Sequence, residues 1–193
     1  MAHSVYGTAI RDAQTCFLNR VPACAKVLII GGGTGWLLAE LLLRKPGCEV
    51  WYVDSSARML DMSRHLNPHA NAHFIRSIAE ALPCAEFDVV IIHFFLDMFP
   101  EAGLQRLIPS IYSATKPSAL WLVADFVDEG KWWQKALLCL MYLFFRAICR
   151  IQAKKLPSWD TAMLQAGLTK ILARHFCGGF IQSAAYCRAK VYP

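Results

Sequence analysis

The chain has 193 residues, of which 56% are hydrophobic and 18% charged, enough for one domain with a substantial core and far from the polar, highly charged make-up of disordered segments. Its net charge of +6 comes from Lys and Arg spread along the chain, which implies weak attraction to anionic ligands and speaks against the dense basic face of a nucleic-acid binder. The eight cysteines, at 16, 24, 48, 84, 139, 149, 177 and 187, contain no C-x-x-C pair and follow no secretory leader, so they are expected as reduced, largely buried thiols in a cytoplasmic protein.

No linker or repeat divides the chain. In residues 1–25 the stretch AIRDAQTCFLNRV is expected to form a helix that leads into the first strand, Val27 to Ile30, whose unbroken apolar run suits a strand covered on both faces. Gly31, Gly32, Gly33 and Gly35 then make a turn, and WLLAELLLR, from Trp36 to Arg44, is a helix ended by Pro46-Gly47. The free N–H groups at the start of that helix face the turn, which makes it a natural site for a charged or polar small ligand. A dinucleotide fingerprint starting at Gly31 would put its third glycine at Trp36, and no P-loop ending is present.

EVWYV, residues 49–53, is a second strand that stops at Asp54, followed by Ser55-Ser56. A carboxylate about 20 residues past a glycine turn, at the end of the adjacent strand, accepts hydrogen bonds from vicinal ribose hydroxyls; the alternative is that Asp54 caps the helix beginning near Ala57. That helix ends at Asn67-Pro68. His65, His69 and His73 are spaced four apart, but the break there points to a solvated loop and not to a metal site. A third strand, AHFI, runs to Ile75 and RSIAEALP follows.

FDVVIIHFF, residues 87–95, is apolar enough for a central strand, with His93 near its carboxyl end, where open α/β sheets bind ligands. Its imidazole suits proton transfer near neutrality or cofactor contact, or else it is a packed histidine; Asp97 either touches acceptor or cofactor or caps a helix. A helix is expected from Glu101 to Lys116, interrupted or bent at Pro109, and ALWLVADF, residues 119–126, is a fifth strand that brings Asp125 and Phe126 to the same edge. This alternation specifies a doubly wound, mostly parallel α/β sheet with right-handed crossovers. Between 130 and 155 lies an apolar helix with an uncharged stretch from Ala136 to Phe145, too short to span a bilayer. Three uses stay open for it: packing on the sheet, a lid over a lipophilic acceptor, or peripheral membrane contact through Trp132 and Trp133. WDTAMLQAG is a short helix closed by Gly167, and LTKILARHF and FIQSAAYCRAKVY form an antiparallel hairpin through Cys177-Gly178-Gly179.

The GGGTG turn at 31–35 with Asp54 beyond it resembles motif I of the class I S-adenosylmethionine-dependent methyltransferases. RSIAEALP is similar to that family's G-D-A-E-x-L-P segment, with Ala79, Glu80, Leu82 and Pro83 matching and Ile78 in the acid's place. Phe87-Asp88 before an apolar run, then Leu96 to Pro100, and the final hairpin continue the resemblance from Lys26 to Tyr192. It implies one domain over 1–193, with a cofactor half at about 26–126 and a helical lid or substrate region at about 128–167. Gly31, Gly33 and Gly35 would bear the methionine end of S-adenosylmethionine, Asp54 with Ser55 beside it the ribose, and Ile78 and Ala79 the adenine. His93, Asp97 and Tyr6, the last on a helix that lids the cofactor in this family, are the candidates for catalysis. Ile29 and Ile78 stand where the family carries acids, which implies weaker cofactor binding. The activity implied is methyl transfer to a small molecule, in the manner of the quinone-biosynthesis C-methyltransferases, and the apolar composition of residues 132–151 favours a hydrophobic or lipid-like acceptor. A cofactor-binding protein without transfer and a nucleotide-dependent oxidoreductase are the alternatives. No Asn/Asp-Pro-Pro-Tyr/Phe signature for nucleic-acid methylation occurs, and a protein acceptor stays open.

Overall fold

Seven strands form one sheet in the order β3-β2-β1-β4-β5-β7-β6. The strands are β1 (Lys26–Ile30), β2 (Glu49–Asp54), β3 (Ala72–Arg76), β4 (Phe87–His93), β5 (Thr115–Phe126), β6 (Leu168–Phe176) and β7 (Ile181–Arg188). The first five are parallel, and β7 lies antiparallel between β5 and β6, so the sheet is doubly wound and ends in the expected antiparallel hairpin. The computed structural model of the protein describes residues 2–77, 82, 86–134, 136–139 and 156–189, residues 2–6 as backbone alone.

The apolar runs of β1 and β4 arise because helices cover both faces. On one face Leu28, Ile30, Val90, Ile92, Trp121 and Val123 pack under α4 (Glu101–Ser113) and the short helix at Trp159–Gln165. On the other, Val27, Ile29, Val89 and Ile91 pack under α2 (Trp36–Arg44) and α3 (Ala57–Leu66), while α1 (Ala2–Thr15) lies over β6 and β7. Ile29 is therefore core, and an acid there would need a buried partner.

Four local expectations are corrected. Helix α4 stops at Ser113 and β5 begins at Thr115, so Lys116-Pro117-Ser118 belongs to the strand and not to the helix end. Lys116 Nζ donates to Asp88 Oδ1 at 2.7 Å, and the ladder shifts register between Phe87 and Val89, which places Pro117 in an irregular stretch that tolerates its missing N–H. Helix α4 also continues through Pro109. The histidines do not share a loop: His65 is in the last turn of α3, with Nδ1 2.7 Å from Asp61 O, and His73 is in β3, with Nε2 2.8 Å from Glu49 Oε1. Nor are the described cysteines largely buried, since Cys24 and Cys139 are exposed and Cys48 alone is fully covered among them; all six described are free thiols.

Residues 132–134 and 136–139 are helical, with Trp132 82% exposed, and most of the apolar 130–155 segment lies outside the described residues. Among the described residues no helix is long and apolar enough to cross a membrane, and no group of His, Cys, Asp and Glu is arranged to hold a metal ion.

Candidate functional site

The strand order reverses between β1 and β4, and the crevice at their carboxyl ends is where such sheets bind ligands. Ile30 is the register partner of both Val53 and Ile92, so Gly31, one residue on, follows between Asp54 and His93. The same row continues through Ala124, Ser183 and Arg174 on the far side and Arg76 on the near side. Three residues picked out from the sequence as far apart as 31, 54 and 93 thus share one line across the sheet.

Gly31 and Gly33 have φ of +67° and +65°, the left-handed region where a Cβ is disfavoured. A side chain at Gly31 would also run into Phe95, one at Gly32 into the Tyr52 ring, and one at Gly35 into Ser63 of α3. Only Gly33 opens onto free space within this turn. Its N–H donates to Asp54 Oδ2 at 3.0 Å, and its carbonyl accepts from the Tyr52 hydroxyl at 3.0 Å. Burial and the nearby Asp54 carboxylate hold the Tyr52 hydroxyl protonated, its pKa pushed up to about 12, so it stays a donor. Asp54 does not cap α3; Ser56 does, accepting from Met59 N–H. The second Asp54 oxygen accepts from Ser56 N–H at 2.9 Å. Each carboxylate oxygen keeps a free lone pair, and the group is 9% exposed beside the open Gly33 backbone, so the residues present fit a ligand with a vicinal diol. Ser55 is exposed, and its carbonyl accepts from Arg76 Nε at 3.3 Å.

At the neighbouring edge, β4 ends in a kink. Phe94 has φ of +52°, a conformation that costs a non-glycine residue about 1 kcal/mol and persists only where its surroundings impose it. Phe94 N–H donates to Ala124 O at 2.7 Å, and the next three N–H groups, of Phe95, Leu96 and Asp97, converge on Asp125 Oδ2 at 3.3, 2.9 and 3.2 Å. The other Asp125 oxygen accepts from Phe126 N–H at 2.8 Å. Burial, with Asp97 close by, raises the Asp125 carboxyl well above the usual carboxylate range. Burial likewise lifts Asp97, to about 6. His93 is pushed the opposite way by the same cause, down to about 3, and its imidazole is neutral near pH 7. Its Nδ1 has no hydrogen-bond partner among the described residues.

The structure therefore brings Gly31, Gly33, Gly35, Asp54, His93 and Asp97 to one edge of the sheet. Tyr6 lies in α1, described as backbone alone, and Ile78 and Ala79 fall outside the described residues. Two contributions escaped the sequence reading: that of Tyr52, an inward tyrosine on β2, and the clamping role of Asp125, which that reading brings to this edge without a task. The signal for the second was a lone carboxylate in the apolar strand ALWLVADF.

Residues 27–118 match the family described as methyltransferase domain. Among solved structures, the chain is similar to mitomycin 7-O-methyltransferase, with a TM-score of 0.71 and 17% identity over 94% of this chain and 54% of that one. It is similar to a TehB-like SAM-dependent methyltransferase from Corynebacterium glutamicum, with a TM-score of 0.65 and 14% identity over 92% and 88% of the two chains. The human N-acetylserotonin methyltransferase, solved with SAM, gives a TM-score of 0.68 and 16% identity over 94% and 55%. The chain thus spans about half the length of two of these three. No curated protein matches the sequence significantly. The architecture is the Rossmann-like fold of the class I methyltransferases. Within it, residues 27–118, from β1 to the first residues of β5, are the stretch that matches the methyltransferase-domain model.

Proposed function

We propose that the protein transfers a methyl group from S-adenosylmethionine to a hydrophobic small-molecule acceptor. The observation that carries this reading is the Gly33–Asp54 hydrogen bond at the sheet's switch point, which sets an open stretch of backbone beside a carboxylate with unused lone pairs. Gly31, Gly33 and Gly35 hold the methionine end, Asp54 and Ser55 the ribose, and Ile78 and Ala79 the adenine. When bound, the cofactor supplies a methyl group already activated on a sulfonium, so the protein's work is approach geometry and exclusion of water. His93, neutral and buried, orients a partner by hydrogen bonding. Asp97, with a carboxyl that titrates near 6, is the group best matched to hold a proton at neutral pH. Tyr6, on α1, is the third candidate on the acceptor side. The resemblance to quinone-biosynthesis enzymes makes quinols the first acceptors to screen.

Calorimetric titration tests the cofactor site. Micromolar affinity for S-adenosylmethionine and S-adenosylhomocysteine, lost in Asp54→Ala and absent for NAD, is the expected result. A folded protein that binds neither would end the methyltransferase reading, and binding without turnover on any acceptor would leave a cofactor-binding protein.

A further inference from the structure

The two neighbouring tryptophans at the start of the 130–155 stretch have opposite fates. Trp133 turns inward: its ring stands 5.8 Å from that of Phe180 between centroids, and with Leu137 and Leu138 it packs in the cluster of Ala13, Ala124 and Ile181. Gln134 is fully buried, and its Oε1 accepts from Glu129 N–H at 2.9 Å. Lys131 Nζ donates to Glu129 Oε2 and to Gly178 O, both at 2.7 Å, which fastens the start of the helix to the turn between β6 and β7. With that inner face fixed, helical spacings of four and three send Trp132, Ala136 and Cys139 outward, and all three are exposed, Trp132 by 82%. The outward face is apolar, and its largest member is a tryptophan that the core does not use.

Charge in the same stretch points to what covers that face. The Lys and Arg of the chain are spread, but its acids are not: between Glu129 and Asp160 the sequence carries Lys131, Lys135, Arg146, Arg150, Lys154 and Lys155 and no Asp or Glu. Elsewhere basic and acidic residues balance, so the whole net charge of +6 arises there. We propose that the face of Trp132, Ala136 and Cys139 docks on an anionic lipid surface, with the indole at the level of the headgroups and the acid-free basic stretch drawn to the lipid phosphates. Tryptophan is favoured at membrane–water interfaces, and basic residues beside an apolar helix face add an attraction to anionic lipids that a neutral partner does not offer. A second copy of this chain would bring the same excess of positive charge, which opposes self-association through this face. The turn that Lys131 grips leads into Ile181, the register partner of Phe126, so docking brings the carboxyl edge of the sheet, where the crevice opens, to the lipid. The surface stands independently of the methyl-transfer reading.

The test is sedimentation of the whole protein with two kinds of vesicle, phosphatidylcholine alone and an equimolar mixture of phosphatidylcholine and phosphatidylglycerol. Binding at least about tenfold tighter to the mixed vesicles is expected, and high salt should remove the difference. Trp132→Ser and Ala136→Glu should each weaken binding to the mixed vesicles by about tenfold or more. Both positions are exposed, so neither variant loses core packing. Leu43→Ser, at a residue of α2 that is 78% exposed, should leave vesicle binding unchanged. Brominated phosphatidylcholine in the mixed vesicles should quench the tryptophan fluorescence of the native chain, and that of Trp132→Ser much less. Absence of vesicle binding, equal binding to the two kinds, or full binding by both face variants overturns the proposal. So does a dimer seen by light scattering that Trp132→Ser dissociates, in a protein that binds no vesicle, because the face is then a contact between copies. Titration of S-adenosylhomocysteine in solution reads the cofactor site separately, so the failure of either reading is distinguishable from that of the other.

Discussion

Each glycine of the turn carries a different burden. At Gly33 a methyl group meets no atom and only the positive φ resists it, so Gly33→Ala should cost about 1 kcal/mol of stability while weakening the cofactor site it faces. Gly32→Ala forces the Tyr52 ring away and breaks its bond to the Gly33 carbonyl, and a loss of about 2–3 kcal/mol is expected. Urea unfolding of the two variants separates these outcomes. His93 has a pH signature of definite sign. Below its ordinary value of 6.5 the unfolded chain takes up a proton that the folded chain refuses until about pH 3, so His93 removes stability as the pH falls through that window. Asp97 acts oppositely: the folded carboxyl stays protonated up to about 6 and the unfolded one only to 3.8, so its contribution is lost as the pH rises. The stability of His93→Phe relative to the native chain should therefore climb steadily from pH 7 to pH 4 in urea titrations, and a flat difference would contradict the buried, neutral imidazole.

The elements are held in place by a few polar ties across them. Asp125 joins the exit of β4 to the end of β5 by accepting from four backbone N–H groups. Asp125→Ala strands those donors, and a loss of about 3 kcal/mol or more is expected, whereas Asp125→Asn keeps one acceptor oxygen and should lose less; thermal unfolding at neutral pH distinguishes them. The helix at Trp159–Gln165 is pinned by Trp159 Nε1 donating to Phe126 O at 2.8 Å, by the Tyr186 hydroxyl donating to Asp160, and by Lys170 Nζ donating to the other Asp160 oxygen at 2.6 Å. Burial raises the Tyr186 hydroxyl above its ordinary range and keeps it a donor. Tyr186→Phe should cost about 1–2 kcal/mol in urea unfolding without touching cofactor affinity, since Tyr186 pairs with Trp121, several residues from the ligand edge. Element identity was legible wherever local chemistry decided it: Trp36–Arg44 follows its glycine turn, and α3 begins at Ala57 behind its Ser56 cap. The α4–β5 boundary was not, because Lys116 joins the strand through its pairing with Asp88, 28 positions away.

For the whole molecule, ligand linkage gives the broadest check. A ligand that binds only the folded chain stabilises it by about 2.7 kcal/mol at a hundred times its Kd. For a domain of this size that amounts to roughly 5–10 °C in Tm. S-adenosylhomocysteine should produce a shift of that order, NAD none, and Asp54→Ala should abolish it; differential scanning fluorimetry suffices. The net charge of +6 is consistent with attraction to anionic ligands.

Sequence alone determined the α/β winding, the antiparallel ending, the glycine turn and the acid after β2, because these are written in local periodicity, turn chemistry and fixed spacing. The tertiary structure decided what those residues do to one another. Asp54 braces Gly33 because β1 and β2 pair in a register that no local pattern encodes. His93 is neutral because the fold buries it, and Phe94 is kinked because a carboxylate thirty positions away gathers the N–H groups beside it. Such contacts join residues distant in the chain, and only the folded sheet brings them within reach.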